Sequence, residues 1–97
     1  WNVALAYRGA GASYYDQGST VIDLMNDGRD DVSSAIKKDA INNYKIAIEY
    51  FNNAGDYFLS SMDYDMQEAE SRYNECRAWI HQINKIYLPF LKDDYPQ

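Results

Sequence analysis

Met66, Ala69, Tyr73, Cys76, Ile80, Ile83, Tyr87 and Phe90 follow one another at an unbroken spacing of three and four residues. That spacing puts them on one face of an α-helix, and an apolar face of such length is stable in water only when other helices cover it. The rest of the chain therefore has to provide partners of comparable length. Upstream of Met66 it carries two more segments with the same period.

The first segment places Val3, Tyr7, Ala10, Tyr14, Val21 and Leu24 on one stripe, interrupted by Gln17, with Ala4, Gly11, Gly18 and Met25 on the adjacent lane. A glycine inside a helix costs about 1 kcal/mol relative to alanine, so small residues seven apart predict a groove into which a neighbouring helix sinks. Gly28 is placed to take a left-handed conformation after this helix, and Asp30 or Asp31 to cap the next. The second segment carries Ala40, Tyr44, Ala47, Phe51, Ala54 and Phe58, flanked by Ile41, Ile48, Gly55 and Met62, an alternation of large and small that suits interdigitation. Ser60, Ser61, Asp63 and Asp65 form a polar turn, and Asp65 with Glu68 has the spacing of a capping box. Along the third segment acids come early (Glu68, Glu70, Glu75) and most bases later (Arg77, Lys85, Lys92), as the helix dipole favours. Pro89 predicts a kink or an irregular end at Phe90 to Leu91. The expectation is an all-α fold, an antiparallel up-down-up three-helix bundle with helices at about 3–26, 31–61 and 65–91, making one domain over 1–92 and a tail or linker over 93–97.

A chain of 97 residues is one domain, burying roughly 60 to 65% of its unfolded surface. Its single cysteine cannot close an intramolecular disulfide, so the fold must hold by packing alone, and no compartment is specified. The net charge of −6, with no cluster of bases, argues against a nucleic-acid partner. Apolar runs such as Ile86 to Leu91 fall far short of the ~20 residues of a membrane span, and no basic amphipathic face would hold the chain to a bilayer, so direct membrane insertion is not expected. A start at Trp1, in helical pattern by Val3, reads as part of a longer or processed protein.

Chemistry-bearing residues are scarce. Cys76 and His81, the only thiol and the only imidazole, project about 140° apart on a helix and cannot meet on one atom. Cys76 lies on the core stripe, and His81 lies beside Arg77 and Lys85 on a polar face. Asp27, Asp30 and Asp31 in one turn, and Asp63, Asp65 and Glu68 in the other, lack the order of a calcium loop and are accounted for by helix capping. The nearest acid before His81 is Glu75, so the E-x-x-H of di-iron bundles is missing. No catalytic residue, metal ligand or cofactor site is expected, and the chain reads as non-enzymatic.

Two surface features remain. Tyr50, Tyr57 and Tyr64 form a lane seven residues apart beside the second stripe, and Trp79, Ile86, Leu88 and Leu91 widen the third beyond what two neighbouring helices can cover. These predict a protein–protein interaction or assembly domain of a larger protein, with Trp79, Ile86, Leu91, Tyr50, Tyr57 and Tyr64 as its contact surface. The expected partner is a protein or peptide, a second copy, or a missing part of the same chain. The alternative expectation is a small-molecule binding module with a cavity where Gly11, Gly55 and Tyr73 leave room. Tyr44-x-x-Ala47-x-x-x-Phe51-x-x-Ala54 resembles the second helix of a tetratricopeptide repeat, without the W-x-x-L-G-x-x-Y that opens such a repeat. Ala47-Ile48-Glu49-Tyr50-Phe51 is similar to the three-helix microtubule-interacting-and-trafficking domains. Both are resemblances of packing, and both imply binding of a peptide or helix.

Overall fold

α1 (Asn2–Asn26) and α2 (Ser34–Ser60) are the longest elements of the computed structural model, which describes residues 1–28, 32–61 and 65–93. α1 stops where expected. Gly28 takes φ +76°, and the N–H groups of Asp27 and Gly28 donate back to the carbonyls of Asp23 and Met25 at 3.0 and 3.1 Å. α2 begins later than 31 because Ser33 is its cap: the Ser33 side chain accepts from the Ile36 N–H at 3.2 Å. Asp30 and Asp31, the expected caps, lie outside the described residues. α3 (Met66–Gln82) opens with Asp65 accepting from the Glu68 N–H at 3.1 Å, the first half of the expected capping box.

The third rod does not run straight to its end. Ile83–Tyr87 winds as a π-helical turn, with the Leu88 N–H bonded to the Ile83 carbonyl five residues back, and α4 (Leu88–Asp93) follows. The irregularity expected at Phe90 to Leu91 therefore lies before Pro89. Proline within a helix lacks a donor and presses on the carbonyl four residues back, here that of Lys85, and a wide turn opens the ladder at that place. One extra residue in the turn shifts the face that follows by about 100°. Leu88 and Leu91 consequently enter the core, at 7% and 0% exposure, whereas Phe90, expected on the stripe, is 39% exposed. At the other end of the stripe Met66, the first residue of α3, is also outside, at 65% exposure.

The described residues build an all-α three-helix bundle, 50 × 23 × 20 Å. Contacts between α1 and α2 run in opposite directions along the two chains: Trp1 on Phe58, Gly11 under Phe51, Gly18 under Tyr44. α3 runs beside α1 in the same direction, Arg8 meeting Glu75 and Tyr15 meeting Trp79 and Tyr87. The α2 stripe is buried as read, from Ala40 through Phe58. That of α1 is corrected. Its buried residues are Ala4, Gly11, Gly18 and Ile22, and Val3 is 49% exposed. The rings of Phe51 and Tyr44 need the small lane, since a Cβ on Gly11 or Gly18 would stand 2.9 or 2.6 Å from them. α1 is thus rotated so that its glycines face α2, and the apolar stripe beginning at Val3 is carried round to one side. No helix among the described residues is long and apolar enough to cross a membrane.

Candidate functional site

α3 closes one side of the α1–α2 hairpin. There Arg8 Nε donates to Glu75 Oε1 at 3.0 Å, Arg8 Nη2 bonds the same oxygen, and Arg72 lies 3.9 Å from Glu68 and 4.0 Å from Glu75. Farther along, the Tyr15 ring packs against Trp79, Tyr44 and Tyr87 at 4.9 to 5.7 Å between centroids. Tyr15 Oη donates to Tyr87 Oη at 3.1 Å, and the hydroxyls of Ser19 and Tyr44 are 2.9 Å apart. Burial, reinforced by the Tyr87 hydroxyl, pushes Tyr15 well above the ordinary tyrosine range, and burial raises Tyr44 to about 12. Neither phenol ionises near neutrality.

The opposite side of the hairpin carries a different set of residues. Tyr7 and Tyr14 each precede by one position the Arg8 and Tyr15 that face α3, and one position on a helix is a turn of about 100°. On that side their rings meet those of α2 in an alternating ladder: Tyr57 on Tyr7 at 5.5 Å, Tyr7 on Tyr50 at 6.0 Å, Tyr50 on Tyr14 at 5.7 Å. Tyr7 with Tyr57 and Tyr14 with Tyr50 are stacked and Tyr7 with Tyr50 is tilted, and ring contacts at these separations add to the area the rings bury. Beside the ladder runs an open groove of about 430 Å³ lined by Asn2, Val3, Ala6, Tyr7, Ala10 and Tyr50. None of these is charged. The same line of α1 continues through Gln17, Val21 and Leu24, also uncharged.

The six residues expected to form a contact surface are therefore separated. Tyr50 and Tyr57 belong to the ladder, Tyr57 being 44% exposed, and Tyr64 lies outside the described residues. Ile86 is on the outside at 56% exposure, against a small depression of about 230 Å³ with Ile22, Asn26, Tyr87 and Phe90. Trp79 packs inward on Phe51 and Tyr15, filling the wider gap between α1 and α3. Leu91 is wholly buried, because the π turn swings it onto the core. By period alone Val3, Tyr7, Ala10 and Tyr14 read as the core stripe of α1; Tyr7 and Tyr14 do pack, half-buried, against the core, but none of the four is among its fully buried residues. The signal that could have moved them was the neighbouring lane of Ala4, Gly11 and Gly18, which is the closer fit to the large rings of α2.

The space expected as a cavity is filled. Phe51 covers Gly11, and the Tyr73 ring lies 3.2 Å from where a Gly55 Cβ would be. Cys76 is buried, and burial raises its thiol above the ordinary value, with the Glu75 carboxylate acting in the same direction. It packs as a small apolar side chain. Among the described residues no three His, Cys, Asp or Glu side chains gather as a metal-binding group. Comparison with models of protein families, with curated proteins and with solved structures gives no match in any of the three.

Proposed function

We propose that this protein is a non-enzymatic interaction or assembly domain that works through the open side of the α1–α2 hairpin. The observation that carries the reading is one continuous uncharged strip, from Val3 past Ala10 to Leu24, bordered by a ladder of four tyrosines and left without a covering helix among the described residues. Along it Val3 is 49% exposed and Tyr7, Ala10, Tyr14, Val21 and Leu24 are half-buried, and apolar surface of this kind beside a groove is a common place of protein contact. Tyrosines suit recognition because each offers a large rigid area at little entropic cost. The tightly bonded side, with Arg8, Glu75 and the Tyr15 cluster, is the frame that holds α1 at the required rotation.

A photo-crosslinking amino acid in place of Ala10, expressed in cells, tests the reading. A protein adduct is expected there, and none from the same group in place of Asn74 on the outer face of α3. Absence of any protein adduct from position 10 contradicts it.

A further inference from the structure

We propose that the Asp27–Gly28 bond is a site of spontaneous main-chain modification, rearranging through a succinimide to isoaspartate, and that the cap ending α1 controls its rate. The inference is independent of the interaction reading above.

The rearrangement has three requirements: a carboxyl one methylene away from the main chain, a following amide nitrogen that no side chain screens, and freedom to bring the two together. The Gly28 nitrogen attacks Asp27 Cγ and closes a five-membered ring, and the amide proton leaves with the carboxyl hydroxyl as one water. A second water then opens the ring at either carbonyl. Opening at Cγ restores aspartate. Opening at the former main-chain carbonyl gives isoaspartate, whose chain runs through the old side chain and is one methylene longer. Nothing is oxidised or reduced, and water is the only co-reactant.

Among the described residues one place meets the first two requirements together. Asp27 and Gly28 are both exposed at the end of α1, and no atom lies within 4 Å of where a Gly28 Cβ would stand. Asp16, Asp23, Asp39 and Asp56 lie inside helices, and each precedes a residue with a side chain. The fold withholds the third requirement. A ψ of 4° at Asp27 holds the Gly28 nitrogen nearly eclipsed with Asp27's own nitrogen, a third of a turn about the Cα–C bond from Cβ and its carboxyl. The Gly28 N–H also donates to the Met25 carbonyl at 3.1 Å. Reaction therefore waits until ψ turns and that bond breaks, an opening of the helix end, where local opening costs least. Breaking one such bond should slow the reaction roughly two- to tenfold relative to the unfolded chain.

Incubating the full 97-residue chain for several weeks at neutral pH in heavy-oxygen water, followed by fragment mass spectrometry, tests the inference. Each passage through the ring leaves one heavy oxygen at residue 27. The expected results are uptake and isoaspartate at 27, none at Asp23 or Asp56, a several-fold faster rate in denaturing urea, and no uptake at 27 in Asp27→Glu, which would have to close a six-membered ring. Asp27→Asn, which expels ammonia in place of water, should show the same gain in urea as it converts to aspartate and isoaspartate, and it repeats the test if the parent reacts too slowly to follow. A rate at 27 no faster in urea overturns the role of the cap. Equal uptake at Asp23 or Asp56 in the folded chain overturns the choice of site, and a chain that takes up no heavy oxygen at 27 even in urea overturns the inference as a whole.

Discussion

Gly18 and Gly9 lie on one helix and have opposite environments, so the same substitution should change stability in opposite directions. An alanine Cβ at 18 would stand 2.6 Å from the ring of the wholly buried Tyr44, which has nowhere to retreat, whereas nothing lies within 4 Å at Gly9. Gly18→Ala is expected to cost about 1 to 3 kcal/mol through overpacking, and Gly9→Ala to stabilise by up to about 1 kcal/mol through helix propensity, both read by denaturant unfolding. A second residue-scale effect concerns Tyr44 itself. The unfolded chain ionises this phenol near pH 10, roughly the free value, and the folded chain near 12 because the site is dry. The raised value means that the stability Tyr44 contributes is intact below about pH 10 and is lost as pH climbs toward about 12, since the unfolded state releases the proton first. Alkaline unfolding followed by helical signal should show this loss, and Tyr44→Phe should flatten it.

At the scale of elements the π turn makes a sharper prediction than any single side chain. Deleting the exposed Lys85 from Ile83–Tyr87 should convert the turn to ordinary α-helix and leave Leu88 and Leu91 on the core, at a cost within about 2 kcal/mol. Deleting the equally exposed Arg77 from the regular part of α3 should rotate Ile80, Ile83, Leu88 and Leu91 off the core together and prevent folding. Thermal melts of the two deletions decide between them, and similar melting temperatures would mean that the turn is not the source of the register shift. This element also marks where sequence reading succeeds and where it stops. Periodicity located all three helices, and the α2 stripe was legible residue by residue because large and small side chains alternate on it without a break. The rotation of α1 was not legible from its own pattern, because two apolar lanes compete there and only the rings of Phe51 and Tyr44 choose between them. Ile86 and Phe90 against Leu88 and Leu91 could not be sorted by a period of three and four, since the buried Ile83 and Leu88 stand five apart, a step that only the π turn allows. The candidate face was half legible: Tyr50 and Tyr57 stood out, but Tyr7 and Tyr14, which complete the ladder, were hidden in a stripe that reads as core.

At the scale of the whole molecule the bundle has one tightly bonded side and one open side, and its net charge sets how the open side behaves. A chain of −6 meets another acidic protein against long-range repulsion, which salt screens over about 10 Å at 0.1 M. Contact with an acidic partner through an uncharged face should therefore strengthen as salt is added, whereas a contact built on ion pairs would weaken; the yield of the position-10 adduct at low and moderate salt distinguishes the two. The central claim, that the open side of α1 is free to carry a contact and is not needed at Ala10 to hold the core, is tested most directly by the melting temperature of Ala10→Glu against the parent chain. Ala10 is half-buried beside the groove, and Ala10→Glu is expected to stay within about 1 kcal/mol of the parent. A large fall in the melting temperature of Ala10→Glu would contradict the account.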